Sequence, residues 1–132
     1  MYPIAHLLNA AIENNANPGG PVRQHERLPR TNVMEGDQDF RILMDLPGVR
    51  NEDLEISLED ETLTVKAVRD LEAPEGFKRR RTELGGKITF RRSFALGNAV
   101  DLDRIGARLE HGILTINVPK SEKVMPRRIE VT

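Results

Sequence analysis

The alternation of hydrophobic and polar residues is clearest near the end of the chain. Residues 107–110 and 114–118 each alternate apolar with polar side chains, and His111-Gly112 lies between the two segments. A period of two on both sides of a glycine is typical of two antiparallel strands joined by a tight turn. Gly112 suits that turn because it adopts a positive φ without steric cost. Pro119, which has no amide hydrogen to donate to a sheet, is expected to end the second strand.

The same kind of pattern predicts strands earlier in the chain. Residues 39–46 are apolar and rich in β-forming residues, and Pro47-Gly48 is expected to turn the chain after them. Residues 54–58 and 63–67 alternate, with the acidic turn Glu59-Asp60-Glu61 between them. Short strands at regular spacing, with almost no helical periodicity between them, predict an all-β fold, specifically an immunoglobulin-like antiparallel β-sandwich.

The first twelve residues follow a different pattern. Their apolar side chains recur at the three- and four-residue spacing of one helical face, namely at Ile4, Leu7, Leu8, Ala11 and Ile12. Pro18-Gly19-Gly20-Pro21 ends this pattern, and residues 18–29 are expected to form a linker. Isolated helices shorter than roughly 12–15 residues are marginal. The segment either docks on its own domain or forms an arm that contacts other chains, and the Pro/Gly break favours the arm.

Composition excludes several classes of function. The 132 residues fit one domain with short tails, and the formal net charge of −1 provides no overall field that attracts nucleic acid or an anionic membrane. The chain has no cysteine, which excludes disulfides, thiol catalysis and cysteine-based zinc sites. No apolar segment approaches the roughly 18 residues of a membrane span. The first twelve residues lack a signal-peptide pattern, so a cytoplasmic location is expected.

The sequence contains no constellation of residues that predicts catalysis or metal binding. His6, His25 and His111 are distributed over the arm, the linker and the hairpin turn, without metal-binding spacing. Neither a nucleophile-elbow motif nor a phosphate-binding glycine loop occurs. The acidic turn at residues 59–61 could supply an acid/base pair, but carboxylates in a tight turn are usually only solvated. We therefore expect no enzyme activity, no cofactor and no metal.

Taken together, the predicted strands resemble the small heat shock proteins, the α-crystallin-domain family. The motifs that carry the resemblance are Asp45-Leu46-Pro47-Gly48-Val49, Glu52-Asp53-Leu54, Leu63–Ala67 with Arg69, Phe90–Leu96, and the closing hairpin with Pro119-Lys120. They occur in unbroken order from residue 32 to residue 120. Two positions depart from the family pattern, since Gly97 stands where a proline is usual and Ile88 where a glycine is usual. The second departure leaves the strand register across 84–90 open.

The resemblance implies a division of the chain and a function. Residues 1–31 would be an N-terminal arm and linker, residues 32–119 the α-crystallin domain, and residues 120–132 a flexible C-terminal extension. The implied function is that of an ATP-independent holdase chaperone, which binds unfolding client proteins and prevents their aggregation as a homo-oligomer of dimers. The arm would then contact clients or other subunits through Tyr2, Ile4, Leu7, Leu8 and Ile12.

The long connection at residues 70–86 is the next feature that the resemblance interprets. In bacterial and plant relatives this connection carries a strand exchanged with the partner subunit, and connections this long are often functional. The resemblance therefore implies strand-exchanged dimers, with Phe77 and Arg92 at the dimer contact. Alternatively, Arg92 is simply an outward-facing strand residue. The basic run Lys78–Arg81 could indicate a nucleic-acid contact, but its acidic neighbours and the lack of interleaved aromatics argue against that partner.

The C-terminal extension contains a short apolar motif. Ile129 and Val131 are separated by one residue, so both side chains lie on one face of an extended segment. They resemble the family's Ile-x-Ile/Val anchor, which adds to an edge groove of a neighbouring subunit. By the same resemblance the groove would be lined by Leu54, Ile56, Ile105 and Ala107. All four could instead be ordinary core residues, and that is the interpretation preferred for Leu58 and Leu109.

Two other functions remain open at this point. A co-chaperone-like docking module shares the sandwich but has neither the Ile-x-Val tail nor the long exchanged-strand loop. A mainly structural role would give assembly without protection of clients.

Overall fold

The computed structural model describes residues 26–122 and 128–131. Within these residues the chain forms eight strands, which are β1 (Glu26–Arg27), β2 (Thr31–Glu35), β3 (Asp39–Asp45), β4 (Leu54–Glu59), β5 (Thr62–Asp70), β6 (Lys87–Ala95), β7 (Gly106–Glu110) and β8 (Ile113–Pro119). Single turns of 3₁₀ helix at Asn51–Asp53 and Leu102–Arg104 precede β4 and β7. The predicted N-terminal helix lies outside the described residues. By contrast, β1 and the first residue of β2 lie within the segment 1–31 that the sequence assigned to the arm and linker.

Two four-stranded sheets form the sandwich. One sheet has the order β1-β6-β5-β4 and the other the order β2-β3-β8-β7. The pairings between the described strands are antiparallel, except that β1 lies parallel to β6 over two residues. The predicted all-β sandwich is confirmed, with one short parallel strand added at an edge.

The inward faces of the two sheets share one hydrophobic core. Residues directly opposite each other on paired strands point to the same face, so the buried rows of neighbouring strands meet. The buried apolar residues of the inner strands are Phe40, Ile42 and Met44 in β3, Leu63, Val65 and Ala67 in β5, Ile88, Phe90 and Phe94 in β6, and Leu114, Ile116 and Val118 in β8. The alternation in the sequence therefore identified the inward sets of β5 and β8, whereas the segment that forms β3 was predicted only as an apolar strand.

The predicted hairpin between β7 and β8 is confirmed. Its turn residues His111 and Gly112 have φ values of 53° and 77°, the left-handed conformation that a two-residue hairpin turn of type I′ requires at both positions. Asp60 and Glu61 make the equivalent turn between β4 and β5 with φ values of 50° and 60°, although neither is glycine. Left-handed backbone in two non-glycine residues costs conformational energy, and the pairing of β4 with β5 maintains it.

The structure settles the strand register across residues 84–90. β6 begins at Lys87 opposite Asp70 and stays in register with β5 as far as Ala95 opposite Thr62. Ile88, at the position where the family usually has glycine, is buried in the core. A Cβ on Gly85 would lie 2.6 Å from Ile88 Cδ1, so the displaced glycine leaves room for the isoleucine side chain.

Candidate functional site

The described residues contain no group of three or more His, Cys, Asp or Glu side chains that could hold a metal ion. Among the same residues, no helix is both long and apolar enough to cross a membrane. The candidate binding surfaces are the two long sides of the sandwich, because the edge strands of both sheets lie there.

We call one of these the closed side. It contains the edge strands β1 and β2, which residues 28–30 join directly. A connection of three residues spans roughly 10–14 Å, about the distance between packed sheets, so the two edges lie next to each other. The opposite edges, β4 and β7, therefore share the other side, which we call the open side. In agreement, the chain that leads from β3 toward β4 meets the turn of the β7–β8 hairpin, where the Leu46 amide donates to the Gly112 carbonyl at 2.8 Å.

Arg92 connects the two sheets on the closed side. It lies on β6 opposite the buried Val65 and in phase with the buried Phe90 and Phe94, so it points inward. Its Nη1 donates to the Pro29 carbonyl at 2.9 Å and to Thr31 Oγ1 at 3.3 Å. Burial lowers the pKa of Arg92 below its usual value, although a guanidinium remains protonated in proteins. The interpretation of Arg92 as an outward-facing residue is therefore wrong, because its side chain holds the β1–β2 connection of its own chain.

On the open side, the apolar residues of β4 point inward but are not covered. Leu54, Ile56 and Leu58 lie opposite Ala67, Val65 and Leu63 of β5, which are all buried. Nevertheless Leu54 and Ile56 are only half-buried, and Leu58 is 41% exposed. An edge strand has a neighbour on one side only, so its inward side chains lose the lateral cover that β5 receives. The prediction that Leu58 is an ordinary core residue is therefore wrong.

The facing edge, β7, has the same character. Ala107 and Leu109 lie opposite the buried Ile116 and Leu114 of β8, which places both on the inward face. Ala107 is exposed, whereas Leu109 and Ile105 are half-buried against the core. The four residues proposed to line a groove, Leu54, Ile56, Ile105 and Ala107, therefore lie at the two edges of the open side. None of the four is fully buried.

The open side carries an asymmetric charge. Glu55 and Glu59 point outward from β4, and Asp60 and Glu61 form the turn after it. Within the described part of the chain, none of these four carboxylates has an ion-pair partner within 4.0 Å. On β7, by contrast, Arg108 Nε lies 3.3 Å from Glu110 Oε2. The rim formed by β4 is thus acidic, and the rim formed by β7 is mixed.

Three other predicted sites lie at different places. Ile129 and Val131 in the tail are 85% and 95% exposed. Phe77 is 72% exposed in the connection at residues 71–86, which forms no strand in this single chain. The arm residues Tyr2, Ile4, Leu7, Leu8 and Ile12 lie outside the described residues.

Two buried cations were not identified from the sequence. Arg69 donates to the Pro47 carbonyl at 3.1 Å and to the Leu84 carbonyl at 2.8 Å, which ties the turn after β3 to the long connection. A Cβ at position 48 would lie 2.9 Å from Arg69 Cδ, so the glycine of the Leu-Pro-Gly motif makes room for this arginine. The alternation along β5 could have indicated that Arg69 points inward, because it lies two residues after the buried Ala67.

The second buried cation is Lys120, at the end of β8. Its side chain is 1% exposed, and Nζ lies 2.7 Å from Glu35 Oε2 and 5.1 Å from the centre of the Phe40 ring. The Lys120 amide also donates to the Gln38 carbonyl at 2.8 Å. These contacts fix the point at which the C-terminal extension leaves the domain.

Known proteins share both the sequence and the fold. The profile of the Hsp20/alpha crystallin family matches residues 32–132. Small heat shock protein C2 of Rickettsia felis is 34% identical over 104 residues, which cover 79% of this chain and 68% of that protein. A probable 15 kDa heat shock protein of Leptospira interrogans is 30% identical over 130 residues, 95% of this chain and 98% of that protein.

Solved structures agree with these sequence matches. A small heat-shock protein from Xylella fastidiosa is 34% identical with a TM-score of 0.65, covering 80% of this chain and 97% of that one. Heat shock protein 16.0 from Schizosaccharomyces pombe is 28% identical with a TM-score of 0.64, covering 80% and 98%. The motifs, the sandwich and these matches agree, and this chain belongs to the Hsp20/α-crystallin family, the small heat shock proteins, which are chaperones.

Proposed function

We propose that this protein is an ATP-independent holdase, which binds unfolding proteins in the cytoplasm and prevents their aggregation. The observation that carries the proposal is the open side, where inward-facing apolar residues of an edge strand are left half-exposed. A sheet edge with uncovered apolar side chains is a template for the addition of another strand. Membership of a chaperone family supports the same function.

The tail of one copy would occupy the open side of another. Ile129 and Val131 are exposed, and in an extended segment they would lie on one face and cover the half-exposed side chains of β4 and β7. Burial of each aliphatic side chain stabilises the contact by about 1.5–3 kcal/mol. Two such side chains give a reversible contact, and repetition over linked subunits strengthens it through avidity. Reversible assembly lets the same surfaces be released for clients.

The remaining contacts would come from the long connection and the arm. Phe77 and Leu84 are exposed apolar residues in the connection, which suits a segment that packs on a partner subunit in a strand-exchanged dimer. The arm residues would supply further apolar contacts to clients. Neither nucleic acid nor a membrane belongs to this function, because the basic run in the connection is balanced by neighbouring acidic residues.

The holdase activity is tested by light scattering of a heat-labile client protein, with and without this protein, in the absence of ATP. We expect suppression of scattering at near-stoichiometric ratios. Absence of suppression at every temperature, from a folded protein, would contradict the holdase and favour the co-chaperone-like docking module instead.

The assembly is tested with the double variant Ile129→Ala/Val131→Ala. Sedimentation velocity should show that the oligomer falls to dimers or smaller assemblies, because both anchor side chains are lost. The matched control is Ile113→Ala, which truncates a partly exposed isoleucine outside the tail and should leave the size unchanged. A docking module would keep the same size in both variants.

A further inference from the structure

The outward face of β4 has a charge pattern that the tail can match in one position only. Three residues form this outward row, and the neutral Ser57 lies between the acidic Glu55 and Glu59. In the tail, Glu130 lies between the two anchor residues, so it points outward when they point inward. Arg128 precedes it on the same outward face.

We infer that the tail of a second copy pairs with β4 in a single register, with Glu130 directly opposite Ser57. This inference rests on the tail anchor proposed above and specifies its geometry. A shift by one residue turns both anchor side chains away from the core. A shift by two residues keeps them inward but places Glu130 opposite Glu55 or Glu59, and like charges directly opposite each other on paired strands are destabilising.

This register also places the anchor side chains where β4 is least covered. Ile129 and Val131 then lie opposite the two inward residues that flank Ser57, which are Ile56 and Leu58. Leu58 is the most exposed inward residue of the strand. Leu58 is therefore exposed in the single chain because the anchor of a second copy covers it in the assembly.

The charges also select a direction for the tail. In the antiparallel arrangement Arg128 lies opposite Glu59, beside the acidic turn at Asp60-Glu61. In the parallel arrangement Arg128 lies opposite Glu55, whose cross-strand neighbour on β5 is already a cation, Lys66. Because the carboxylates of residues 59–61 have no ion-pair partner within the described part of the chain, the antiparallel direction pairs more opposite charges.

Cysteine crosslinking tests the register, since the chain has no cysteine of its own. A full-length chain with Val131→Cys is mixed with a tagged chain carrying Leu54→Cys, Ile56→Cys or Leu58→Cys, and the disulfides formed between copies are counted. These substitutions leave Ser57 and every charged residue in place. Directly opposite Cβ atoms lie roughly 4.5–5.5 Å apart and diagonal neighbours about 7–8 Å apart, so only an opposite pair approaches disulfide geometry.

We expect the highest yield for Val131→Cys with Ile56→Cys, and for Ile129→Cys with Leu58→Cys in the same experiment. Both results together define the antiparallel register. Dominant crosslinking of Val131→Cys to Leu54→Cys, or equal yields at all three positions, would overturn the inference. Dominant crosslinking of Val131→Cys to Leu58→Cys together with Ile129→Cys to Ile56→Cys would overturn the antiparallel direction.

A charge substitution gives an independent test. Ser57→Glu places a carboxylate opposite Glu130 and should raise the concentration at which the assembly dissociates by about two- to fivefold. Ser57→Gln, which has the same size without the charge, should leave that concentration unchanged. Glu130→Lys should restore assembly in the Ser57→Glu chain. Equal behaviour of Ser57→Glu and Ser57→Gln would overturn the inference.

Failure of this inference is distinguishable from failure of the anchor itself. If Ile129→Ala/Val131→Ala leaves the oligomer unchanged and no crosslink forms at any position, the tail does not occupy the open side and both proposals are wrong. If the anchor variant dissociates while the crosslinks are spread evenly, the anchor stands and only the register is wrong.

Discussion

The two sides of the sandwich differ in how the chain finishes its edges. On the closed side, three residues join the edge strands, and Arg92 reaches from β6 to the Pro29 carbonyl and the Thr31 hydroxyl. On the open side, β4 and β7 end their sheets, and Leu58 remains 41% exposed although it points inward. One side is therefore completed by hydrogen bonds within the chain, while the other presents apolar surface.

The position of a strand within its sheet, rather than the type of side chain, decides how far an inward-facing residue is buried. Leu58 and Leu63 are the same residue, lie directly opposite each other and point to the same face. Leu63 is buried because β5 lies between two other strands, whereas Leu58 lies on the edge strand. The following variants either break or sharpen this difference.

The largest expected loss of stability follows truncation of Leu63, and truncation of Leu58 serves as its comparison. Leu63→Ala should lower the free energy of unfolding by about 2–5 kcal/mol because it leaves a cavity in a packed core. Leu58→Ala, compared in the Ile129→Ala/Val131→Ala chain so that no tail covers β4, should lower it by roughly 1 kcal/mol or less, since much of the side chain is then already in water. Urea unfolding at a fixed protomer concentration measures both. Equal losses in the two variants would show that the open side is as well packed as the core.

The next effect concerns the closed side. Arg92→Ala should lower the free energy of unfolding by about 2–3 kcal/mol, because hydrogen bonds from a charged group are lost and the Pro29 carbonyl keeps only the Thr31 hydroxyl of these two donors. The neighbouring Arg91→Ala is the control, since Arg91 is half-exposed and its Nε lies 3.9 Å from Glu26 Oε1. An exposed ion pair of this kind contributes about 0–1 kcal/mol. If both arginines behave alike in urea unfolding, Arg92 does not hold the closed side.

A smaller effect is expected for the hydroxyl that Arg92 meets. Thr31→Val keeps the shape of the side chain but removes the acceptor for Arg92 and the donor to the Pro29 carbonyl at 3.0 Å. The loss should be about 1 kcal/mol, the usual net contribution of a hydrogen bond. Thermal denaturation of Thr31→Val and Thr31→Ser compares them, and the serine variant, which keeps the hydroxyl, should stay close to wild type.

The smallest effect is local to the open side. A peptide of residues 127–132, added to the full-length Ile129→Ala/Val131→Ala chain, should slow hydrogen exchange at β4 amides about twofold at a concentration equal to its dissociation constant. Exchange in β2, at the closed side, should not change. Equal protection of both strands would mean that the peptide stabilises the whole domain rather than one edge.

Much of this architecture follows from the sequence because strand alternation is a local property. The rows Leu63-Val65-Ala67 and Leu114-Ile116-Val118, with the turn at His111-Gly112, are determined by residues close to one another in the chain. Because side chains alternate between the two faces of a strand, the sequence alone indicates which of them share a face, whatever strand lies beside it. The family motifs were recognisable for the same reason, since each occupies a few consecutive residues.

The tertiary structure alone decided which strands lie at an edge. Leu58 has the same alternation as Leu63, and its exposure depends on the absence of a further strand beside β4 among residues 26–122 and 128–131, which no nearby residue encodes. The inward direction of Arg92 was readable from its phase, but its acceptors at Pro29 and Thr31 are about sixty positions earlier in the chain. Lys120 and Glu35 are likewise distant in sequence and form their contact only when β8 and β2 lie in one sheet. The sequence by itself determined the faces of the strands, whereas lateral cover and ion pairing were decided by which strands the fold brought together.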